Sequence, residues 1–185
     1  MDDQFFLRRA DTSDINALSQ LYQKVYRETY AEDFSIPYPE NELNAYFRSS
    51  ASPQSFAKKI IDPKRAIWVI EDKQNGDLIA FASAGPCNEI LHPDVCLNKD
   101  GEINQLYFQR NQQNHGFGQQ LMNVVLPWLD EYYSGRPIWL SVWFKNYKAQ
   151  QIYRYYGFEK AGESDFNIGQ WKDHDFIMKR PEHAS

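Results

Sequence analysis

Between Gln113 and Gly118 the chain reads Gln-Asn-His-Gly-Phe-Gly, a Gln-x-x-Gly-x-Gly spacing set between an apolar run and a helical pattern. The apolar run, Leu106-Tyr107-Phe108, is the kind a buried strand makes. After it, Phe117, Leu121, Val124, Val125, Trp128 and Leu129 recur on one face at helical spacing. Strand, glycine turn and helix start together make an anion site. First-turn N–H groups lack partners, the macrodipole adds partial positive charge, and glycines let a phosphate come close to the backbone. A dinucleotide fingerprint would need a third glycine where Gln119, Gln120 and Leu121 stand, and a nucleotide loop would need Gly-Lys-Ser/Thr. A tight turn without a ligand would use the same glycine pair.

The elements that would position this site follow in order. Residues 4–9 read as a strand, and Asp11, Thr12 and Ser13 offer caps for a helix to about Tyr30. Pro39 suits the first turn of a short helix through Phe47, and Ser52-Pro53 starts another to Ile61. Residues 66–71 and 78–84 are strands joined by an Asn75-Gly76 hairpin turn. Residues 86–100 form a long irregular loop of functional length. The central strand runs from about Glu102 to Phe108, and the long helix to about Tyr133, with Pro127 placed to kink or end it. Residues 138–144 are a buried strand. Asn146 caps a helix with Ala149, Ile152, Tyr153 and Tyr156 on its apolar face, and Gly157 stops it. Two final strands, 158–163 and 174–179, are expected to flank a loop from Asp165 to Asp173.

The segment from Ser141 to Phe158 carries a second pattern, Asn-x-x-Ala-x-x-x-Tyr-x-x-x-Gly-Phe, at Asn146, Ala149, Tyr153, Gly157 and Phe158. Downstream of the Gln-x-x-Gly-x-Gly loop, on matching predicted elements, it resembles the GNAT superfamily of N-acetyltransferases over the whole chain. The run from Leu106 to Met122 and the tail from Gly162 to Lys179 look like the PaiA-type polyamine N-acetyltransferases. The resemblance implies an α/β fold: a central mixed, mostly antiparallel sheet with a splayed pair formed by its fourth and fifth strands, and flanking helices. It also implies acetyl-CoA as co-substrate and no metal.

Acetyl transfer to an amine requires a deprotonated amine, a stabilised oxyanion and a protonated leaving thiolate. A primary amine has a pKa near ~10.4, so a general base helps at neutral pH. The resemblance makes Glu102, at the start of the central strand, the candidate base, although a solvated strand-end carboxylate would look the same. It makes Tyr153 the candidate acid for the thiolate. Leu106, Tyr107 and Phe108 would hold the pantetheine arm along an open strand edge, with a backbone N–H of Leu106 or Phe108 facing the oxyanion. Gln113, Asn114, His115, Gly116, Phe117 and Gly118 would take the pyrophosphate, and Asn146 the arm or an ordered water. Glu28, Glu32 and Asp33 would face a cationic acceptor, with Tyr30, Phe34 and Tyr38 as aromatic walls, and an ordinary solvated helix face explains the acids equally well.

The totals fit this reading. The 185 residues suit a single N-acetyltransferase domain, 1–185, and 42% apolar with 24% charged residues is ordinary for a globular protein. A net charge of −5 disfavours nucleic acid and suits a cationic substrate. No run is apolar and long enough to span a bilayer, and the first residues lack the order of a signal peptide, so a cytoplasmic location is expected. Cys87 and Cys96 with His92 do not make a zinc site and read as free thiols. The favoured function is acetyl transfer to a small, polyamine-like primary amine. A protein or peptide acceptor, a non-catalytic acyl-CoA-binding module, and a homodimer stay open.

Overall fold

A computed structural model describes residues 3–110 and 115–182. Seven strands form one sheet in the order β1-β2-β3-β4-β5-β7-β6. These are β1 (Phe5–Arg9), β2 (Ala66–Asp72), β3 (Asp77–Pro86), β4 (Gly101–Phe108), β5 (Ile138–Trp143), β6 (Glu159–Ile168) and β7 (Trp171–Arg180). The helices are α1 (Ile15–Tyr26), α2 (Glu40–Ser50), α3 (Pro53–Ile61), α4 (Phe117–Tyr132) and α5 (Tyr147–Tyr155). All strand pairs are antiparallel except β4 with β5.

Strands β2 and β3 are apolar on both faces because both faces are covered. Trp68, Ile70, Ala80 and Ala82 join Phe117, Leu121 and Val125 of α4 in one core. Ile67, Val69 and Phe81 pack with Leu18, Tyr22 and Val25 of α1 in the other, together with Leu43 of α2 and Phe56 of α3. The Asn75-Gly76 turn joins the two strands, with Gly76 at a positive φ of 78°.

The parallel pair is the feature that opens the molecule. β4 and β5 are paired only at Gly101–Ile138 and Glu102–Trp139, and beyond those two positions they part. Gly101 allows the closure, since a Cβ there would lie 2.7 Å from the Ile138 Cδ1. Just before it, buried Asp100 accepts from Trp139 Nε1 at 2.9 Å, from the Cys96 amide at 2.9 Å and from Arg136 Nε at 2.8 Å. These bonds tie the irregular 87–100 loop to the closed end of the sheet. Both cysteines are free thiols.

Two expectations need adjustment, and one left open is narrowed. The last two strands are longer than expected and meet at a tight Gly169-Gln170 turn, not at a loop from Asp165 to Asp173. Polar residues on a sheet face lined by a cavity look like loop in sequence, which hid the strand character. Gly169 turns at a φ of 60°, and the Glu42 carboxylate accepts from the Gln170 amide at 2.6 Å. The first helix ends as a π-helical turn over Arg27–Asp33. Pro127 lies inside α4 without ending it.

Candidate active site

Two cavities lie on either side of the parted strands. The first, about 440 Å³, is lined by Leu106, Tyr107 and Phe108 of β4, Asn146, and Ile152 and Tyr153 of α5. The second, about 480 Å³, is walled by tyrosines 22, 26, 30, 46 and 107 and by carboxylates from β4, β6 and β7. Tyr30, Asn104, Gln105, Tyr107, Ser141 and Val142 line both, so the cavities meet at the gap between β4 and β5. A donor in one cavity and an acceptor in the other would bring their reacting atoms together at that gap.

The first cavity fits an extended arm ending in phosphates. Past Glu102, β4 has no β5 partner, and this leaves backbone donors and acceptors on that edge free for a ligand. Gly116 caps α4 in the left-handed region at φ 69°, ψ 25°, a conformation that costs other residues. Gly118 lies close against α5, where a Cβ would meet Ile152 Cδ1 at 3.3 Å. The free amides of the first α4 turn are thus held near α5. His115 stacks on Phe117 with ring centroids 5.2 Å apart and meets Phe5 edge-on at 5.1 Å, so its imidazole is packed beside the loop. Gln113 and Asn114 lie outside the described residues.

Asn146 uses its side-chain oxygen to cap α5, accepting from the Ala149 amide at 3.2 Å, and lines the first cavity together with Tyr30. Tyr153 is 7% exposed, faces the first cavity, and packs its ring on Phe158 at 6.1 Å. Gly157 turns the chain back at a φ of 93° so that Phe158 reaches it. Burial raises the Tyr153 phenol well above its ordinary pKa, so it is protonated at neutral pH. Of the neighbouring tyrosines, Tyr155 is exposed, and Tyr156 donates to Asn123 Oδ1 at 2.8 Å as a packing contact.

Glu102 lines the second cavity. It is 5% exposed, and its Oε2 has no hydrogen-bond partner. Burial, with a smaller contribution from Glu89, raises its carboxyl to about 8. The trio Glu28, Glu32 and Asp33 lies elsewhere. Arg110 pairs with Glu32 at 2.8 Å and with Asp33 at 2.9 Å, and Lys24 stands 3.9 Å from Glu28. Of the three, only Asp33 reaches a cavity, and that is the first one. Besides Glu89 and Glu102, the second cavity takes its acidic wall from Asp165 of β6 and from Asp173 and Asp175 of β7, three acids not expected there from the sequence. Their spacing of two along one strand puts Asp173 and Asp175 on one face, a signal present in the sequence once β7 is read to its full length. Of the aromatic candidates, Tyr30 lines both cavities. Phe34 packs on Trp143 with centroids 4.7 Å apart, and Tyr38 donates to Asp173.

A seven-stranded, mostly antiparallel sheet that parts after two residues of parallel pairing, with a glycine-capped helix at one end of the gap and a buried tyrosine beside it, defines an acyltransferase of the N-acetyltransferase type. The Acetyltransferase (GNAT) family profile matches residues 18–158, and the chain belongs to that family. It is 28% identical over 142 residues to an uncharacterized N-acetyltransferase of Mycobacterium tuberculosis, covering 77% of this chain and 83% of the relative. It is 32% identical over 95 residues to the spermine/spermidine N(1)-acetyltransferase of Bacillus subtilis, covering 50% of this chain and 59% of that one. The PaiA N-acetyltransferase of Thermoplasma acidophilum, solved in complex with coenzyme A, superposes with a TM-score of 0.69 at 18% identity, over 96% of this chain and 98% of that one.

Proposed function

We propose that this N-acetyltransferase moves the acetyl group of acetyl-CoA to a small primary amine, with a polyamine-like acceptor. The observation that carries the reading is the meeting of two unlike cavities at the β4/β5 gap. One is an open-edged cleft below a glycine-capped helix. The other is a tyrosine-walled chamber with buried carboxylates. The aromatic faces and acids of the second suit a cation. A relative named for spermine and spermidine supports the same acceptor class.

The cleft has the parts acetyl-CoA needs. The amides at Gly116 to Gly118 would receive the pyrophosphate, with His115 and Phe117 packed against each other there. The free β4 edge at Leu106 to Phe108 would pair with the pantetheine amides, and a β4 N–H would stabilise the oxyanion. Asn146 would hold the arm while capping α5. Tyr153 would protonate the leaving thiolate. The amine's proton goes to a buried carboxyl of the acceptor chamber, which holds Glu102 of β4 and Asp175 of β7. The trio Glu28, Glu32 and Asp33 lines no part of the acceptor chamber and Arg110 neutralises two of its members, so the acceptor's charge falls to the chamber's own carboxylates.

Thiol release from acetyl-CoA with spermidine, spermine, n-propylamine, amino acids and short peptides tests the reading. Turnover with the amines and not the peptides is expected. Turnover with peptides alone would overturn the small-amine acceptor. Tight acetyl-CoA binding with no turnover of any acceptor would overturn catalysis in favour of a binding role.

A further inference from the structure

Strand register separates the two carboxyls that could take the amine's proton. Glu102 pairs with Trp139, and Asp175 pairs with Trp143, four residues further along β5. At ~3.3 Å per residue, Asp175 stands ~13 Å beyond Glu102 along that strand. Glu102 belongs to the last paired position before β4 and β5 part, so it marks the closed end of the gap. Asp175 stands beside the open part.

The neighbours of each carboxyl follow the same division. Trp143 meets the Tyr30 ring edge-on at 6.2 Å, and the Tyr30 hydroxyl lies within electrostatic reach of Tyr153, Asp175 and Asn146. Tyr30 lines both cavities and thus links Asp175 to the tyrosine of the cofactor cleft. The groups that act on Glu102 are Glu89, Arg65, Asn88 and Cys87, and none of them lines that cleft. Asp175 is 7% exposed and lines the acceptor chamber, and its carboxyl has no hydrogen-bond or ion-pair partner among the described residues. Its strand neighbour Asp173 is already engaged, accepting from Tyr38 Oη and from Trp171 Nε1 at 2.9 Å.

We propose that Asp175 is the catalytic base of this enzyme, the carboxylate that takes the proton from the attacking amine, and that Glu102 serves the part of the acceptor remote from the acetyl group. The assignment rests on the acetyltransferase reading above. An ammonium N–H gives its proton to the Asp175 carboxylate, and the freed lone pair forms the C–N bond at the thioester carbonyl. The C–S bond then breaks and the sulfur takes a proton from Tyr153; the nitrogen, now acidic, loses its second proton, which restores the Tyr153 phenol, and the proton on Asp175 passes to solvent. The products are amide, thiol and one released proton.

Several groups share the chamber around Asp175. They are Asp173 on β7, Asp165 and Ser164 on β6, Trp143 on β5, Tyr107 on β4, Tyr26 on α1 and Tyr30 on the π-helical turn. The chamber's cations, Arg48, Lys58, Lys59 and Arg65, come from α2, α3 and the approach to β2. Burial first, and then Asp173, raises the Asp175 carboxyl to about 7, where a base works best near neutrality.

The test is the pH profile of kcat/KM with spermidine and with n-propylamine for wild type, Asp175→Asn and Glu102→Gln. Wild type should lose activity below pH ~7 as the base protonates. Asp175→Asn should fall at least ~100-fold and lose that limb while binding acetyl-CoA normally. Glu102→Gln should keep the limb and raise KM for spermidine more than for n-propylamine. An intact limb in Asp175→Asn, or its loss in Glu102→Gln, would overturn the assignment. A wild type that acetylates neither amine defeats the acceptor reading and leaves this inference to a second readout. In protein carrying carboxyl-labelled aspartate, n-propylammonium should lower the titration midpoint of the resonance missing from Asp175→Asn, and an unmoved midpoint would overturn the assignment.

Discussion

At the scale of single residues, the site combines carboxyls whose pKa burial raises toward neutrality with phenols that burial keeps protonated. Tyr153 matches its sequence pattern directly and lines the cleft in which it is proposed to act as acid. Tyr153→Phe should lower turnover by about 100-fold with little change in acetyl-CoA affinity, measured by steady-state kinetics and calorimetric titration. Unchanged turnover would remove the assignment. Glu102 gives a prediction in stability. Its carboxyl binds a proton up to about 8 in the folded chain, against an ordinary value of 4.5. Between those values the folded state holds more protons than the unfolded state, so this group lowers stability as pH rises through that window. Glu102→Gln removes the effect. Its melting temperature should exceed wild type at pH 9 and match it at pH 4, read by thermal unfolding at both values.

At the scale of elements, the α4 and α5 starts carry most of the cofactor reading. Gly116 has open space around its Cβ position but a positive φ. A valine there is penalised by backbone conformation alone, by about 1–2 kcal/mol. Gly116→Val should weaken acetyl-CoA binding about tenfold without unfolding the core, measured by calorimetry beside circular dichroism. Asn146 separates cap from ligand contact. Asn146→Asp keeps the oxygen that accepts from Ala149 and removes the amide donors. Retained α5 stability with weaker acetyl-CoA binding is the expected result, and unchanged binding would leave Asn146 a cap only. The two motifs were legible because their helix-start and helix-stop chemistry is local. The final hairpin was not, because β6 and β7 turn polar side chains toward a cavity and so lack the apolar alternation of a half-buried strand.

At the scale of the whole molecule, the sheet must stay closed at one end for the gap at the other to hold its shape. Asp100 is fully buried at that closed end and bonds the loop, β5 and Arg136 together. Asp100→Ala leaves the buried Trp139 Nε1 without its acceptor, while the partly exposed Arg136 turns to water, and should cost about 1–3 kcal/mol, read as a lower midpoint in urea unfolding. The amino-acid sequence by itself determined the order of elements, the glycine-capped α4 start, the α5 cap and stop, and the tyrosine between them. Each of these is set by residues a few positions apart whose backbone preferences and periodicity act locally. Only the tertiary structure decided which acids share the acceptor chamber. Asp173 and Asp175 reach it from a strand far along the chain, while Glu32 and Asp33 are drawn to Arg110 across 78 and 77 residues. Side-chain pairing over such separations depends on how sheet and helices pack, and no local spacing encodes it.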